Sequence, residues 1–294
     1  VTRRDARAPV DVGPPPGPPT GSNGGAPTRI ALFGGVYSNH LALATAIEDA
    51  CHRGAEALYC LGDVGAFGPH PDRVFPLLVD AGVTVVRGNY DDSIARGLED
   101  CQCGYTDPRD NHYARLSYRY TYANTSERWR RWLGTLPESL RLTVGGRRIL
   151  LCHGSPRHTN EFLWESATST QFLAWLADAY EADIILATHT GLHWKRPLPP
   201  GVGGMERMFA NVGVLGRPAN DGTPRVWYAM LHLPGRPEGG ADLEFIPVRY
   251  DHERLAGEMR AEGLPEEFVE TILTGWWTTC LEVLPARERS RGRF

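Results

Sequence analysis

From residue 29 onward the sequence repeats one unit, a short apolar run that ends on a polar residue flanked by glycine or threonine. Residues 29 to 33 run into Gly34-Gly35-Val36-Tyr37, residues 57 to 61 into Gly62-Asp63, and residues 83 to 86 into Gly88-Asn89. Residues 148 to 152 lead to His153-Gly154-Ser155, and residues 184 to 187 to Thr188-His189-Thr190. Short apolar runs bounded by turn formers read as buried strands. An amphipathic stretch over 41 to 52, with Ser38 or Asn39 as its natural cap, separates the first run from the second. A Gly/Pro-rich loop at 62 to 71 and a helix over 72 to 81 separate the second from the third. This β-α-β-α-β order predicts a mainly parallel sheet. Asp63, Asn89, His153 and His189 would then stand at strand ends along one sheet edge, where α/β proteins keep their sites.

The remaining pattern extends the sheet system. Residues 90 to 111 read as a long irregular stretch, the kind of loop that serves as a lid more often than as filler. A helical region follows over 113 to 136, then a hairpin (140 to 144 and 148 to 152) turning at Gly145-Gly146. Residues 172 to 180 read as helix. Residues 208 to 212, 225 to 232 and 243 to 248 read as strands, and 251 to 275 as two short helices. Trp129, Trp132, Trp276 and Trp277 read as packing residues.

At 294 residues the chain can bury a substantial core. Its formal charge of -4 gives no electrostatic footprint for nucleic acid, and the one concentrated basic run is Arg287, Arg289, Arg291 and Arg293, read as a solvated tail. Lys195 is the sole lysine, so arginine count reflects coding bias and says little about anion binding. No stretch approaches the roughly 20 apolar residues of a membrane span. Residues 1 to 27 start with charges and run into a Pro/Gly tract without the apolar centre of a signal peptide, and read as a disordered extension. The six cysteines lack the density of a disulfide framework, which predicts a reduced, cytoplasmic setting. Cys60 and Cys152 fall in apolar runs and read as core. Cys101-Gln102-Cys103, with His112, is a weak candidate metal pair set against simple loop packing.

With the elements placed, the sequence resembles the calcineurin-like metallophosphoesterases. The resemblance rests on Gly62-Asp63, Gly88-Asn89-Tyr90-Asp91, His153-Gly154-Ser155-Pro156 and Thr188-His189-Thr190 in order and spacing, with Asn211-Val212-Gly213-Val214 similar to a turn of the compact bacterial phosphodiesterase-type branch. It implies a four-layer α/β/β/α sandwich over 28 to 250, with residues 251 to 294 as C-terminal helices and tail packing on the same domain. It also implies that Asp63 bridges two metals while Asn89, His153 and His189 hold one of them. The other metal's private ligands would fall at Gly35, Tyr37 and Gly191, none of which carries the expected side chain. The losses therefore remove one site and spare its neighbour.

Two oxygens and two nitrogens suit Mn, Fe, Zn or Ni better than Ca. The expectation is one divalent transition metal, with Tyr37 and His193 as candidate substitute ligands for a second, weakly bound ion. Gly34, Gly35 and Asn39 at a helix start are candidate phosphate-binding positions. Tyr90 stands where the family's general acid belongs, and Asp91 is its candidate orienting carboxylate; His40, His70, Glu161 and Trp164 are further candidates for the pocket rim. The resemblance implies hydrolysis of a small phosphomonoester or phosphodiester by metal-bound water. The competing class is a catalytically silent relative that binds a phosphate-bearing ligand or a protein partner.

Overall fold

A computed structural model describes residues 28–235 and 240–290; the N-terminal extension expected over 1 to 27 lies outside them. Strand β1 (Thr28–Phe33) leads into α1 (His40–His52), β2 (Ala57–Cys60), a 3-10 turn at Pro71–Arg73, α2 (Val74–Asp80) and β3 (Thr84–Val85). Then come α3 (Asn89–Arg96), α4 (Pro108–Asn124), α5 (Glu127–Gly134), the hairpin β4 (Ser139–Val144) and β5 (Arg147–Cys152), and α6 (Thr170–Ala179). The chain continues through β6 (Ile184–Ala187), β7 (His193–Leu198), β8 (Arg207–Val212), β9 (Val226–Leu233) and β10 (Asp242–Val248). It closes with α7 (His252–Ala261), α8 (Glu266–Thr274) and α9 (Ala286–Arg289).

The strands form two five-stranded sheets, ordered β10-β9-β1-β2-β3 and β4-β5-β6-β8-β7. Each is mixed, with a parallel centre and antiparallel flanks: β1 pairs β2 in parallel and β9 antiparallel, while β6 runs parallel to β5 and β8 and β7 runs antiparallel to β8. Period-two alternation divides the side chains between layers. On β1, Ile30 and Leu32 face the second sheet and join Leu151, Leu186 and Leu231 in an inter-sheet core. Ala31 and Phe33 face the other way, into a core with Leu43 of α1, Phe75 of α2, Met259 of α7 and Phe268 of α8. Ile185 and Phe209 pack outward beneath Leu173 and Leu176 of α6. Helix, sheet, sheet and helix make four layers, and the C-terminal helices share the first core.

Two segments differ from the sequence reading. The stretch at 90 to 111 does not begin irregularly, since α3 starts at Asn89; Gly88 takes an extended φ/ψ at its N-cap and the Asp91 side chain folds back onto the Gly88 N–H. Strand β7 had no apolar alternation to announce it, and it carries Pro197 at a sheet edge, where proline costs no ladder bond. The helix cap does fall as read: the Asn39 side chain accepts from the Ala42 N–H. Among the described residues no helix is long and apolar enough to cross a membrane.

Candidate metal centre

The turn after β2 builds the centre's first wall. Asp63 has a left-handed φ of 55°, a strain that non-glycine residues bear only where surrounding bonds fix it. Those bonds come from Asp91. Its fully buried carboxylate accepts the N–H groups of Asp63 (2.8 Å), Val64 (3.0 Å) and Gly88 (2.8 Å), tying the β2 turn to the start of α3. Glycine is required at 88 because a Cβ there would lie 2.2 Å from Asp63 Oδ1. The Asp63 carboxylate itself accepts the Tyr90 N–H at 3.0 Å, which leaves Oδ2 aimed inward.

Two histidines from the second sheet meet it. His153, after β5, has its Nδ1 2.6 Å from the Leu61 carbonyl, which can only accept, so the Nδ1 carries the proton. Its Nε2 therefore faces Asp63 Oδ2 (3.3 Å) and His189 Nδ1 (3.2 Å). His189, after β6, is also left-handed (φ 73°), and Phe162 packs on its ring with centroids 4.4 Å apart. Three ligand atoms, one each from Asp63, His153 and His189, lie within 4.8 Å of one another, all buried. A buried carboxylate and two imidazole nitrogens converging this way could hold a cation between them.

Burial works against charge on His153, but the Asp63 carboxylate outweighs it and raises its pKa. Burial likewise opposes ionised Asp63, and His153 reverses the balance and lowers its pKa. His189 is pushed down to about 3 by burial and by His153, which keeps its ring neutral and able to donate a lone pair. One further atom fits a metal: Asn89 Oδ1 is buried without a hydrogen-bond partner among the described residues. Asn89 is oriented from its amide side, where Nδ2 donates to the Cys101 carbonyl at 2.8 Å and lies 3.4 Å from Cys103 Sγ. Asp63, Asn89, His153 and His189 thus fit a divalent transition ion by donor type and burial.

The Cys101–Cys103 loop departs from the expected six reduced thiols, for these two sulfurs are joined in a disulfide. Gln102, at a left-handed φ of 51°, folds the loop until the two Cα atoms are 5.3 Å apart, within disulfide reach. The pair therefore braces Asn89 and does not ligate a metal with His112. Cys60 and Cys152 are buried, and burial pushes both thiols up, that of Cys152 to about 12.

The remaining candidates scatter. The Tyr90 hydroxyl turns away from Asp63 toward Ser117 Oγ (3.1 Å) and the Ala114 carbonyl, and burial raises its pKa. Asp91 contacts backbone amides and so positions Asp63, where the sequence suggested it would orient Tyr90 or His153. Asn39 is spent on the α1 cap and on the Gly216 carbonyl (3.3 Å). Gly34 has no room for a ligand: a Cβ there would stand 1.8 Å from the Gly213 carbonyl oxygen. Gly35 lies under the Tyr37 ring, whose nearest atom would be 2.6 Å from an added Cβ. His193 is outside the cluster, with its ring between Trp227 and Phe245 at 4.7 Å from each. His40 sits 3.5 Å from Glu258 and His70 3.8 Å from Glu262, both away from the three ligands. Glu161 accepts from Ser155 Oγ and Arg157, and Trp164 stacks on Phe162, so both shape the wall behind His189.

Sequence reasoning missed the residues that close the other side. Trp277 covers Gly191, where an added Cβ would meet its ring at 2.7 Å, and Arg217 lies over the same ring at 4.0 Å. A cavity of about 470 Å3, counted to its open mouth, is lined by Asp63 and His189 together with Tyr37, Tyr105, Arg217 and Cys280. Burial first, and the Asp63 charge second, raise the Tyr37 pKa well above its ordinary value, so its hydroxyl keeps its proton.

Residues 29–234 match the profile of the calcineurin-like phosphoesterase superfamily domain. The chain is similar to the crystal structure of a metallophosphoesterase from Sphaerobacter thermophilus, with 25% identity, a TM-score of 0.64, and 85% of this chain and 99% of that one covered. It is also similar to the hypothetical protein PH1004 from Pyrococcus horikoshii, at 21% identity and a TM-score of 0.68, with 85% and 100% covered. An uncharacterised protein of Methanocaldococcus jannaschii, MJ0912, is 23% identical over 258 residues, covering 84% of this chain and 98% of its own. The last two relatives speak to the fold alone.

Proposed function

The chain belongs to the calcineurin-like phosphoesterase superfamily, and from that premise we propose that it is a metal-dependent phosphoesterase working mainly with one metal ion. Its substrate is a small phosphomonoester or phosphodiester. The observation that carries this is the buried convergence of Asp63, His153 and His189 within 4.8 Å, and the buried Asn89 Oδ1 has no hydrogen-bond partner among the described residues. A divalent cation bound there supplies a Lewis acid for a phosphoryl oxygen. The protein's own part is positional. Asp91 fixes Asp63, the Leu61 carbonyl fixes the His153 tautomer, and the Cys101 carbonyl turns the Asn89 amide so that its oxygen faces the centre. Tyr90 forms part of the cavity wall, with its hydroxyl proton engaged by Ser117 Oγ and the Ala114 carbonyl.

The second reading, a silent relative that binds a phosphate-bearing ligand, draws on Trp277 and Tyr37 standing over Gly191 and Gly35. Elemental analysis and an aryl phosphate ester separate the two. The enzyme reading expects a transition metal near one per chain and turnover that falls at least about a hundredfold in Asp63→Asn and His153→Ala, beyond what loss of a residue supporting a ligand costs. Metal without turnover across a panel of phosphate esters selects the binding protein. Protein free of metal after purification and after metal addition sinks every metal-based version of either reading.

A further inference from the structure

The cavity beside the candidate metal centre carries a buried positive charge that nothing in the ligand set uses. Arg217 is only 6% exposed and is the one arginine or lysine among the described residues lining that cavity. It stands in no ion pair among the described residues. Of the five N–H groups of a guanidinium, one is committed, with Nη2 donating to the Thr279 carbonyl at 2.7 Å. Nε is buried and without a partner. The group's plane is held from two sides, by Trp277 at 4.0 Å and by Phe67 at 5.2 Å, both measured to ring centroids. The backbone holds it from behind. The N–H groups of Leu215 and Gly216 both donate to the Gly35 carbonyl at 2.9 Å, and a Cβ at 216 would lie 2.1 Å from the Val36 carbonyl oxygen. A buried guanidinium with donors to spare is costly unless an anion completes it.

Asp63 and His189 line the same cavity. We propose that Arg217 is an anion anchor that binds a non-bridging oxygen pair of the phosphate group, opposite the Asp63, His153 and His189 cluster. This deepens the phosphoesterase reading and rests on it for the identity of the anion as phosphate. The planar fork fits two phosphate oxygens at once, which an ammonium group does not. Arg217 supplies fixed positive charge to a cavity whose lining holds Asp63 as its single carboxylate among the described residues.

The test is calorimetric titration of inorganic phosphate into the purified chain, as isolated and after chelation, with metal content measured on the same samples. Arg217→Gln is expected to keep the metal ratio and melting temperature of the parent and to bind phosphate at least about tenfold more weakly in both forms. Arg217→Lys, which keeps the charge and loses the fork, should bind at least about threefold more weakly. If Arg217→Gln does not fold, the lysine variant decides alone. Unchanged phosphate affinity in a folded variant overturns the anchor, as does a parent protein that binds no phosphate in either form. The two readings fail separately: a metal-free parent whose phosphate binding depends on Arg217 removes the metal reading and leaves the anchor standing.

Discussion

Two walls around the candidate centre are built on opposite principles. On the side of Asp63, His153 and His189, polar atoms converge with lone pairs facing one another, and every supporting bond holds a ligand atom toward the centre. On the side of Gly35 and Gly191, space that a ligand side chain would occupy is filled by the rings of Tyr37 and Trp277. The contrast is between a wall whose polar atoms converge and a wall closed by aromatic rings. Aromatic surface lies over Gly35 and Gly191, so no side chain can be added at either position without displacing something.

The largest expected effect comes from forcing the two sides to match. Gly191→His places a Cβ in the Trp277 ring and a side chain at a left-handed φ of 83°. We expect a loss of about 3 kcal/mol in chemical denaturation, combining overpacking and backbone strain. Trp277→Ala in the same chain should recover part of it. Only in that background should Gly35→Asp and Tyr37→His raise the metal ratio from near one toward two. A ratio that rises with Trp277 intact would show that the rings do not exclude a second ion.

A smaller effect tests the polar side alone. Asp91→Asn offers one carbonyl oxygen and an amide to a pocket of three N–H donors. The expected cost is about 2 kcal/mol of stability, with metal affinity ten- to a hundredfold weaker, the usual range for a residue that supports a ligand. Metal titration of the folded variant checks this, and unchanged affinity would mean that Asp63 holds its strained turn without Asp91.

These residues also show what was legible in advance. The four ligand candidates could be read because each follows a strand, and strand ends at a sheet edge are a property of local pattern. Asp91 was visible as a letter, but its partners are backbone N–H groups, which have no sequence signature. Trp277 and Arg217 were hidden for another reason. A tryptophan pair reads as packing wherever it lies, and arginine carries little weight in a chain with a single lysine. Only the tertiary fold brings residues 35, 191, 217 and 277 to one wall. The helix α3 was missed because its cap is a glycine and its first turn is acidic and buried, while the apolar periodicity that marks a helix is short there.

The smallest effect sets a scale for charge outside the cavity. Asp183 accepts the Arg148 N–H at 2.8 Å and its guanidinium at 2.8 Å, with the Arg148 side chain 52% exposed. Burial tends to raise the Asp183 pKa, and the hydrogen bonds from Arg148 outweigh it and lower it. A carboxyl with a lower pKa folded than unfolded stabilises fully above the ordinary value of about 3.9. That contribution is lost as pH falls through the folded value. Solvent screening keeps it to about 1 kcal/mol. Denaturation curves at pH 7 and pH 3 should differ by that much more in the parent than in Asp183→Asn. An equal difference in both would assign the acid sensitivity to other groups.

The close approach of Gly34 to Gly213, with the bridge between Gly35 and Val214 beside it, has a consequence for the order of events in folding. It joins the end of a strand in one sheet to the end of a strand in the other, across most of the chain's length. The ligands divide the same way, with Asp63 following β2 in one sheet and His153 and His189 following β5 and β6 in the other. Neither sheet alone can assemble the centre, and contacts of such sequence separation form only after the intervening chain has closed. Metal uptake at the proposed centre would therefore report that the two layers have met in register.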